Sequence, residues 1–301
     1  KDDIAVYLSG NFPLVQVLTE ALARDKQSRL KEKREKIAIG KARSEVKAFI
    51  QMIHHYRDTC LEGTKVVDGR IVADEVYFLN PKNQEKSFIP VDHVAIFDEA
   101  QRAWTKDALV NFMNRKKGYP NFPYSEPEYL ISCLDRHKDW AVIVCLVGGG
   151  QEIHDGEAGI SEWFNALNTY FPDWKVFCSD RMTDSEYVGD SSVDELLSNV
   201  ELHKRSELHL SVSMRSFRSE LVSAFAKAVI DADVDEARRL YTQITEANAD
   251  GSMKYPILLT RDLTKAKQWV KKVSLGTERY GIVASSSAKR LRADGVIVPK
   301  D

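Results

Sequence analysis

Short apolar runs alternate with longer segments of helical periodicity along most of the chain. The run at residues 140–147 is apolar at nearly every position, which predicts a strand buried on both faces, as in a parallel sheet. Strands are predicted at residues 4–8, 71–78, 94–97, 140–147, 175–178, 207–212, 256–260 and 280–284. Helices are predicted at residues 14–23, 25–58, 105–115, 128–137, 158–170, 219–232, 234–247 and 262–273.

Strands that alternate with helices predict βαβ crossovers and a parallel sheet, so the predicted fold class is α/β. A polar stretch rich in Ser and Asp at residues 180–206 separates two such series. We expect two domains, at residues 1–200 and 201–301, with residues 25–58 as a basic helical insertion in the first. Because a strand begins almost at once after Lys1 and an apolar run stands just before the last residues, we expect a fragment truncated at both ends.

Composition narrows the class of protein without identifying a partner. Hydrophobic residues make up 43% and charged residues 29% of the 301, as in a soluble globular protein. The net charge of −2 gives no argument for nucleic-acid binding, and no apolar run approaches the roughly 20 residues that span a bilayer. The four cysteines, Cys60, Cys133, Cys145 and Cys178, form no C-x-x-C pair. These features predict a reduced, cytoplasmic protein with no membrane partner.

The apolar run at residues 94–97 ends in two adjacent carboxylates, Asp98 and Glu99. Ligands of open α/β sheets lie at the carboxyl ends of strands, where an Asp can hold Mg²⁺ that bridges nucleotide phosphates. The next Glu can act as general base towards the attacking water. Asp98 is therefore a predicted Mg²⁺ ligand and Glu99 a predicted catalytic base. The alternative is an ordinary strand end, with Asp98 as the N-cap of the next helix.

Three glycines and a glutamine follow the strand at 140–147 directly, and in a parallel sheet this loop should lie beside the carboxylates. Gly150 is a predicted nucleotide contact, and Gln151 is placed to sense the γ-phosphate or the attacking water. The alternative is a glycine-rich turn without a ligand. Glu157, just beyond, is expected to be a surface loop residue. The phosphate-binding pattern G-x-x-x-x-G-K-[ST] occurs nowhere in the chain.

Two arginines follow the predicted strand at 207–212, at a strand-to-helix turn. A planar guanidinium suits a phosphate, so Arg215 is a predicted arginine finger and Arg218 a predicted nucleotide contact. The alternative is an arginine pair that faces solvent.

Nine basic residues outnumber four acidic ones between residues 25 and 47. This excess predicts contacts to the phosphate backbone of a nucleic acid, with Lys31 and Arg34 as representative residues. The alternative is a solvated helix face with i,i+4 pairs such as Glu32–Lys36.

Six segments in a fixed order resemble one known family. They are VYLSGNFPL at 6–14, IFDEAQRAW at 96–104, LVGGGQEI at 146–153, GEAG at 156–159, SMRSFR at 213–218 and ASS at 284–286. Together they resemble the DUF2075 family, a branch of superfamily 1 helicase-like P-loop ATPases related to the helicase-like part of Schlafen proteins.

The resemblance implies two RecA-like lobes with ATP between them. It places Asp98 and Glu99 at Mg²⁺ and water, Gln151 at the γ-phosphate, and Arg215 as the finger from the second lobe. It places Ser9, Gly10 and Asn11 near a nucleic-acid strand rather than near the nucleotide. In this family a Walker A loop precedes the opening segment, and its absence implies either a fragment or a protein that has lost ATP binding.

The leading hypothesis is the core of an ATP-dependent nucleic-acid translocase or helicase that uses ATP and Mg²⁺ on DNA or RNA, with single strands favoured. A second is a nucleotide-gated switch or scaffold ATPase that controls an effector domain or partner, with a role in defence or restriction. A third is a non-catalytic interaction module that uses the loop at residues 119–124 and the segment 25–58. The chain alone is expected to bind nucleotide weakly.

Overall fold

The structure is a computed structural model that describes residues 5–148, 157–182, 192–210, 220–246, 255, 257–274, 276–277, 279–284 and 288–296. The chain divides into two compact units, Lys1–Leu210 and Ser211–Asp301. No helix within the described ranges is long and apolar enough to cross a membrane.

The first unit mixes strands and helices. Its elements are β1 Ala5–Ser9, α1 Phe12–Glu32, α2 Ile39–Phe49, β2 Ile50–Met52, α3 Ile53–Leu61, β3 Thr64–Val67, β4 Arg70–Ala73, α4 Glu75–Leu79, β5 Val94–Asp98, α5 Lys106–Lys117, α6 Glu126–Leu134, β6 Val142–Cys145, α7 Gly159–Tyr170, β7 Lys175–Cys178, α8 Val193–Leu196 and β8 Glu201–Lys204. Short 3₁₀ turns cover Pro81–Asn83, Ala100–Arg102 and Ser206–Leu208.

A four-stranded parallel sheet in the order β2-β1-β5-β6 forms the centre of this unit. Residues of β1 alternate between two cores: Val6 and Leu8 are fully buried among residues of α5, α6 and α7, whereas Tyr7 packs against the cluster formed by α1 and α2. Such alternation follows from the period of two in a strand. The sheet is therefore flanked by helices, which confirms the α/β class.

The prediction of one helical stretch over residues 25–58 is wrong. Helix α1 ends at Glu32, and Arg34 takes a left-handed backbone conformation with φ 62° in the turn that follows. The chain then forms α2, enters the sheet as β2, and continues as α3. Because β2 pairs with β1, this end of the predicted insertion is part of the central sheet.

The predicted strand at 71–78 is shorter than expected. A hairpin of β3 and β4 turns at Asp68 and Gly69, whose φ values of 49° and 73° are both positive. Asp-Gly is the preferred dipeptide for such a turn, which sequence reasoning overlooked. Residues after Ala73 enter helix α4 instead of extending the strand.

Strand β6 is also less enclosed than predicted. It covers only Val142–Cys145, and the side chains of Val142 and Val144 are 44% and 38% exposed. Within the described part of the chain β6 has one neighbour, β5, so it is an edge strand. The expectation of burial on both faces is wrong for this strand.

The second unit is helical where it is described: α9 Glu220–Ile230, α10 Val234–Thr245 and α11 Leu263–Val273, with a 3₁₀ turn at Lys289–Asp294. The strands predicted at 256–260 and 280–284 are not formed in their described residues, and Leu259 and Val283 are almost fully exposed. A strand needs a hydrogen-bonded neighbour, and the described residues supply none here. The strand predicted at 207–212 begins instead with a 3₁₀ turn, and β8 lies before it.

Candidate functional site

Asp98 ends β5 directly opposite Ser9, which ends β1. The Ser9 hydroxyl donates to Asp98 Oδ2 over 3.1 Å, and the backbone N–H of Asn11 donates to the same hydroxyl oxygen over 3.1 Å. Ser9 is 1% exposed, so the hydroxyl at the centre of these two hydrogen bonds is buried. It fixes one oxygen of the carboxylate, while Oδ1 accepts no hydrogen bond from the described residues.

Glu99 turns the chain sharply at the end of β5. Its backbone has φ 54° and ψ 47°, a left-handed conformation that is uncommon for a residue with a side chain. Backbone strain of this kind costs on the order of 1–3 kcal/mol and is frequent at functional sites. A 3₁₀ turn, Ala100–Arg102, follows directly, at the carboxyl end of β5.

Gln101 connects Glu99 to the glycine loop. Its Nε2 donates to Glu99 Oε2 over 2.6 Å, and its Oε1 accepts from the backbone N–H of Gly148 over 3.3 Å. Gln101 itself is buried, with 1% of its surface exposed. The carboxamide therefore bridges the predicted catalytic base and the first glycine of the loop after β6, a role that sequence reasoning did not assign.

The turn that contains Glu99 is clamped from two sides. The backbone N–H of Ala100 donates to the carbonyl of Leu146 over 2.9 Å, next to the β5–β6 ladder. On the other side, the indole Nε1 of Trp163 in α7 donates to the carbonyl of Ala100 over 2.8 Å. A buried indole N–H needs such a partner, so Trp163 both fills the core and fixes the turn.

A second clamp lies where the chain returns after the glycine loop. Arg102 Nε donates to Glu157 Oε1 over 3.0 Å, and Ala158 N donates to the carbonyl of Ala103 over 2.8 Å. The side chain of Glu157 is 5% exposed. The prediction that Glu157 is a surface loop residue is therefore wrong, because it is a buried partner of Arg102.

A buried ion pair supports the segment beyond this turn. Arg57 Nη1 lies 2.9 Å from Glu126 Oε1, and Glu126 Oε2 accepts from the backbone N–H of Trp104 over 3.0 Å. The Arg57 guanidinium also lies over the rings of Trp104 and Phe112. Burial raises the pKa of Glu126, and the positive charge of Arg57 opposes that rise.

Several predicted site residues lie outside the described part of the chain, namely Gly150, Gln151, Arg215 and Arg218. Their roles stay predictions. Among the residues that are described, the structure brings Asp98, Glu99 and Gly148 to one edge of the sheet, with Ser9 and Gln101 as the side chains that position them.

The predicted nucleic-acid contacts divide by exposure. Ser9 is buried and its hydroxyl is committed to Asp98, so its side chain is not free to bind a nucleic acid. Gly10 and Asn11 are exposed, although Asn11 Oδ1 accepts from Leu14 N over 3.2 Å as the N-cap of α1. Lys31 and Arg34 are exposed at the end of α1 and in the turn after it.

Part of the basic charge in this region is neutralised between α1 and α2. Glu20 of α1 pairs with Arg43 of α2 over 2.7 Å and with Arg24 over 2.6 Å. These hydrogen bonds, first from Arg43 and then from Arg24, lower the pKa of Glu20 to about 2. By contrast, Lys31 and Arg34 form no ion pair with the residues described.

Comparison with protein families gives one match that spans nearly the whole chain. The family model for the Schlafen group 3 DNA/RNA helicase domain matches residues 1–299. No curated protein and no solved structure matches the chain.

Proposed function

Since the chain belongs to the Schlafen group 3 DNA/RNA helicase domain family, we propose that it is the core of an ATP-dependent helicase or translocase in which Asp98 holds Mg²⁺ and Glu99 activates water. The match supports the predicted helicase-like family and does not show the name DUF2075. The observation that carries the proposal is the pair of adjacent carboxylates at the carboxyl edge of a parallel sheet, each fixed by a buried polar side chain.

The donor set at Asp98 fits a magnesium ion. Mg²⁺ prefers oxygen ligands and is commonly bound by one or two carboxylates together with water and substrate phosphates. Asp98 has Oδ2 held by Ser9 and Oδ1 without a partner among the described residues, so one oxygen is available at a fixed orientation. When bound, the ion supplies charge neutralisation to the transferring phosphoryl group.

The position of Glu99 suits a general base. A base must be held within hydrogen-bond reach of the proton that it abstracts, and its orientation contributes to the rate. The left-handed backbone of Glu99 and the hydrogen bond from Gln101 restrict both the main chain and the carboxylate. Glu99 would accept a proton from the attacking water, while Gln151 would contact the γ-phosphate and Gly150 and Arg218 the nucleotide.

We assign Gly10, Asn11, Lys31 and Arg34 to the nucleic-acid surface of this function. Gly10 and Asn11 follow β1, whose last residue, Ser9, is hydrogen-bonded to Asp98. A displacement of Asp98 would therefore be transmitted through Ser9 to this loop. Lys31 and Arg34 supply exposed positive charge for phosphates. Arg215 would act as the arginine finger.

Hydrolysis of ATP by the full-length protein tests this function, measured with and without single-stranded DNA or RNA. We expect stimulation by one of the two polymers and a loss of about 100-fold or more in Glu99→Gln, in line with the removal of a general base. Glu85→Gln is the matched control, because Glu85 is exposed and remote in sequence from the carboxylates. Activity of Glu99→Gln equal to that of Glu85→Gln would overturn the assignment.

A nucleotide-gated switch is the second candidate. The observation that favours it is a pair of side-chain contacts, Gln101–Gly148 and Arg102–Glu157, which link both ends of the glycine loop to the turn after β5. A change in the bound nucleotide phosphates would therefore be transmitted from the glycine loop to the turn after β5. Hydrolysis that depends on Glu99 but ignores DNA and RNA would favour the switch over the motor.

A further inference from the structure

Two histidines and an aspartate come together at the end of the sheet opposite Asp98. His93 directly precedes β5, while His137 and Asp139 lie between α6 and β6. The backbone N–H of Val142 donates to the carbonyl of His93 over 2.8 Å, which joins the two segments where the strands begin. This cluster is separate from Asp98 and Glu99. Parallel strands place their amino ends together at one edge of the sheet and their carboxyl ends at the opposite edge.

The three side chains are within reach of one ion. One ring nitrogen from each histidine and one carboxylate oxygen of Asp139 all lie within 4.8 Å of one another. The rings of His93 and His137 have centroids 3.9 Å apart, and Trp140 stacks on His93 with a centroid distance of 4.5 Å. Contact with these two rings restricts the orientation of His93.

Hydrogen bonds to backbone carbonyls decide which nitrogens are free. His93 Nδ1 lies 2.8 Å from the carbonyl oxygen of Trp140, and His137 Nε2 lies 3.0 Å from that of Asp92. A carbonyl oxygen only accepts, so each of these ring nitrogens must carry the hydrogen. In the neutral rings, His93 Nε2 and His137 Nδ1 then have the lone pairs. Metal-binding histidines characteristically donate their other N–H in this way. Because it is His93 Nδ1 that lies 3.9 Å from Asp139 Oδ1, the Asp139 carboxylate must move towards His93 Nε2 for the three side chains to share an ion.

We propose that His93, His137 and Asp139 form a binding site for a divalent transition-metal ion, Zn²⁺ being the best match. Two imidazoles and one carboxylate are a recurrent zinc ligand set that leaves a fourth position for water or another ligand. Ligand atoms around tetrahedral zinc stand about 3.4 Å apart for bonds of about 2.1 Å, so separations of up to 4.8 Å must shorten by up to about 1.4 Å. Asp139 can make most of this movement, since its side chain is 65% exposed.

The surroundings of the cluster favour a charged and accessible site. A backbone hydrogen bond from Trp140 lowers the pKa of Asp139, which keeps the carboxylate ionised. The cluster lines an open cavity of about 590 Å³ together with Ser87, Ile89, Pro90, Val91 and Lys138. Solvent and a small anion can therefore reach the fourth position. Because its ligands come from two segments, the ion would tie the loop before β5 to the loop before β6.

Zinc binding to the metal-free full chain tests this proposal, measured by isothermal titration calorimetry and by the visible absorption of Co²⁺ as a substitute ion. We expect one equivalent of Zn²⁺ per chain, a rise in melting temperature on binding, and Co²⁺ bands of a low-coordinate site. Asp139→Ala and the double variant His93→Gln/His137→Gln should each weaken binding by at least about tenfold.

The matched control is His54→Gln/His55→Gln, which removes another pair of neighbouring histidines whose rings lie 4.4 Å apart. Asp139→Ala keeps the test valid if the double variant unfolds, because Asp139 is exposed. The proposal is overturned if no stoichiometric zinc binds, if Asp139→Ala binds zinc as tightly as the unaltered chain, or if the control variant loses binding to the same extent.

Discussion

Gln101 Nε2 lies 2.6 Å from Glu99 Oε2, and both groups belong to the same short turn at the end of β5. The other end of the Gln101 carboxamide accepts from Gly148, 47 residues further along the chain. The orientation of the predicted catalytic base is thus coupled to the position of the glycine loop. A change in that loop on nucleotide binding would be felt at Glu99 through one buried side chain.

Replacement of Gln101 by Ala tests this coupling. A hydrogen bond to a charged group contributes about 1.5–3 kcal/mol, so we expect kcat for ATP hydrolysis to fall about 10- to 100-fold with little change in KM. Gln84→Ala at an exposed position is the control. A kcat for Gln101→Ala equal to that of Gln84→Ala would contradict the coupling.

Replacement of Lys31 and Arg34 by Ala tests the nucleic-acid surface. Each lost phosphate contact should reduce the slope of log Kd against log salt by about 0.7–0.9 for single- or double-stranded polymers. Fluorescence anisotropy with labelled single-stranded DNA and RNA at several salt concentrations measures this slope. The control is Lys82→Ala/Lys116→Ala, two exposed lysines outside the basic segment. Equal slopes for both double variants would remove these residues from the interface.

Replacement of Glu126 by Ala tests the buried ion pair. Loss of one partner leaves the Arg57 guanidinium buried without its countercharge, which destabilises by about 3–5 kcal/mol. Urea unfolding should show this loss, and Arg57→Met/Glu126→Leu should recover much of it. Glu62→Ala removes an exposed partner of Lys86 and should cost less than about 1 kcal/mol. Similar losses for the buried and the exposed pair would contradict the argument.

Replacement of Glu20 by Gln tests the bridge between α1 and α2. The pKa of Glu20 is lowered to about 2 from 4.5, so the folded state binds the proton less readily than the unfolded state. Glu20 therefore adds stability above about pH 4.5, and this contribution disappears as the pH falls towards 2. We expect the gap between the unaltered chain and Glu20→Gln to close over that range in urea unfolding. Glu35→Gln, at an exposed position, is the control, and high salt should narrow the gap for Glu20.

Much of the structure around Asp98 and Glu99 can be predicted from sequence, because the sequence patterns that specify it are local. An apolar run that ends in two acids predicts both β5 and the position of Asp98, and the helices α5, α6 and α7 follow from their periodicity. Strand β2 escapes detection, because three residues are too few to display a period of two and they stand between helical segments. Its identity depends on pairing with β1, which is a tertiary contact.

The side chains that position the site are less predictable for the same reason. Ser9 and Asp98 are 89 residues apart in sequence, and Gln101 and Gly148 are 47 residues apart, so no short sequence motif predicts either contact. The His93, His137 and Asp139 cluster likewise has no metal-ligand spacing along the chain. The burial of Glu157 depends on Arg102, 55 residues away in sequence, so no local pattern predicts it.

The pairing of β1 with β5 has a consequence for how the chain folds. These strands are neighbours in the sheet although α1, α2, α3 and the β3–β4 hairpin all lie between them in sequence. Closing a loop of this length costs conformational entropy before the strand contacts can compensate for it. Topologies with such long-range contacts therefore fold slowly. The hairpin at Asp68 and Gly69 can form locally and early. The fixed geometry of Asp98 depends on this long-range pairing, because the hydroxyl that holds its carboxylate belongs to Ser9 of β1.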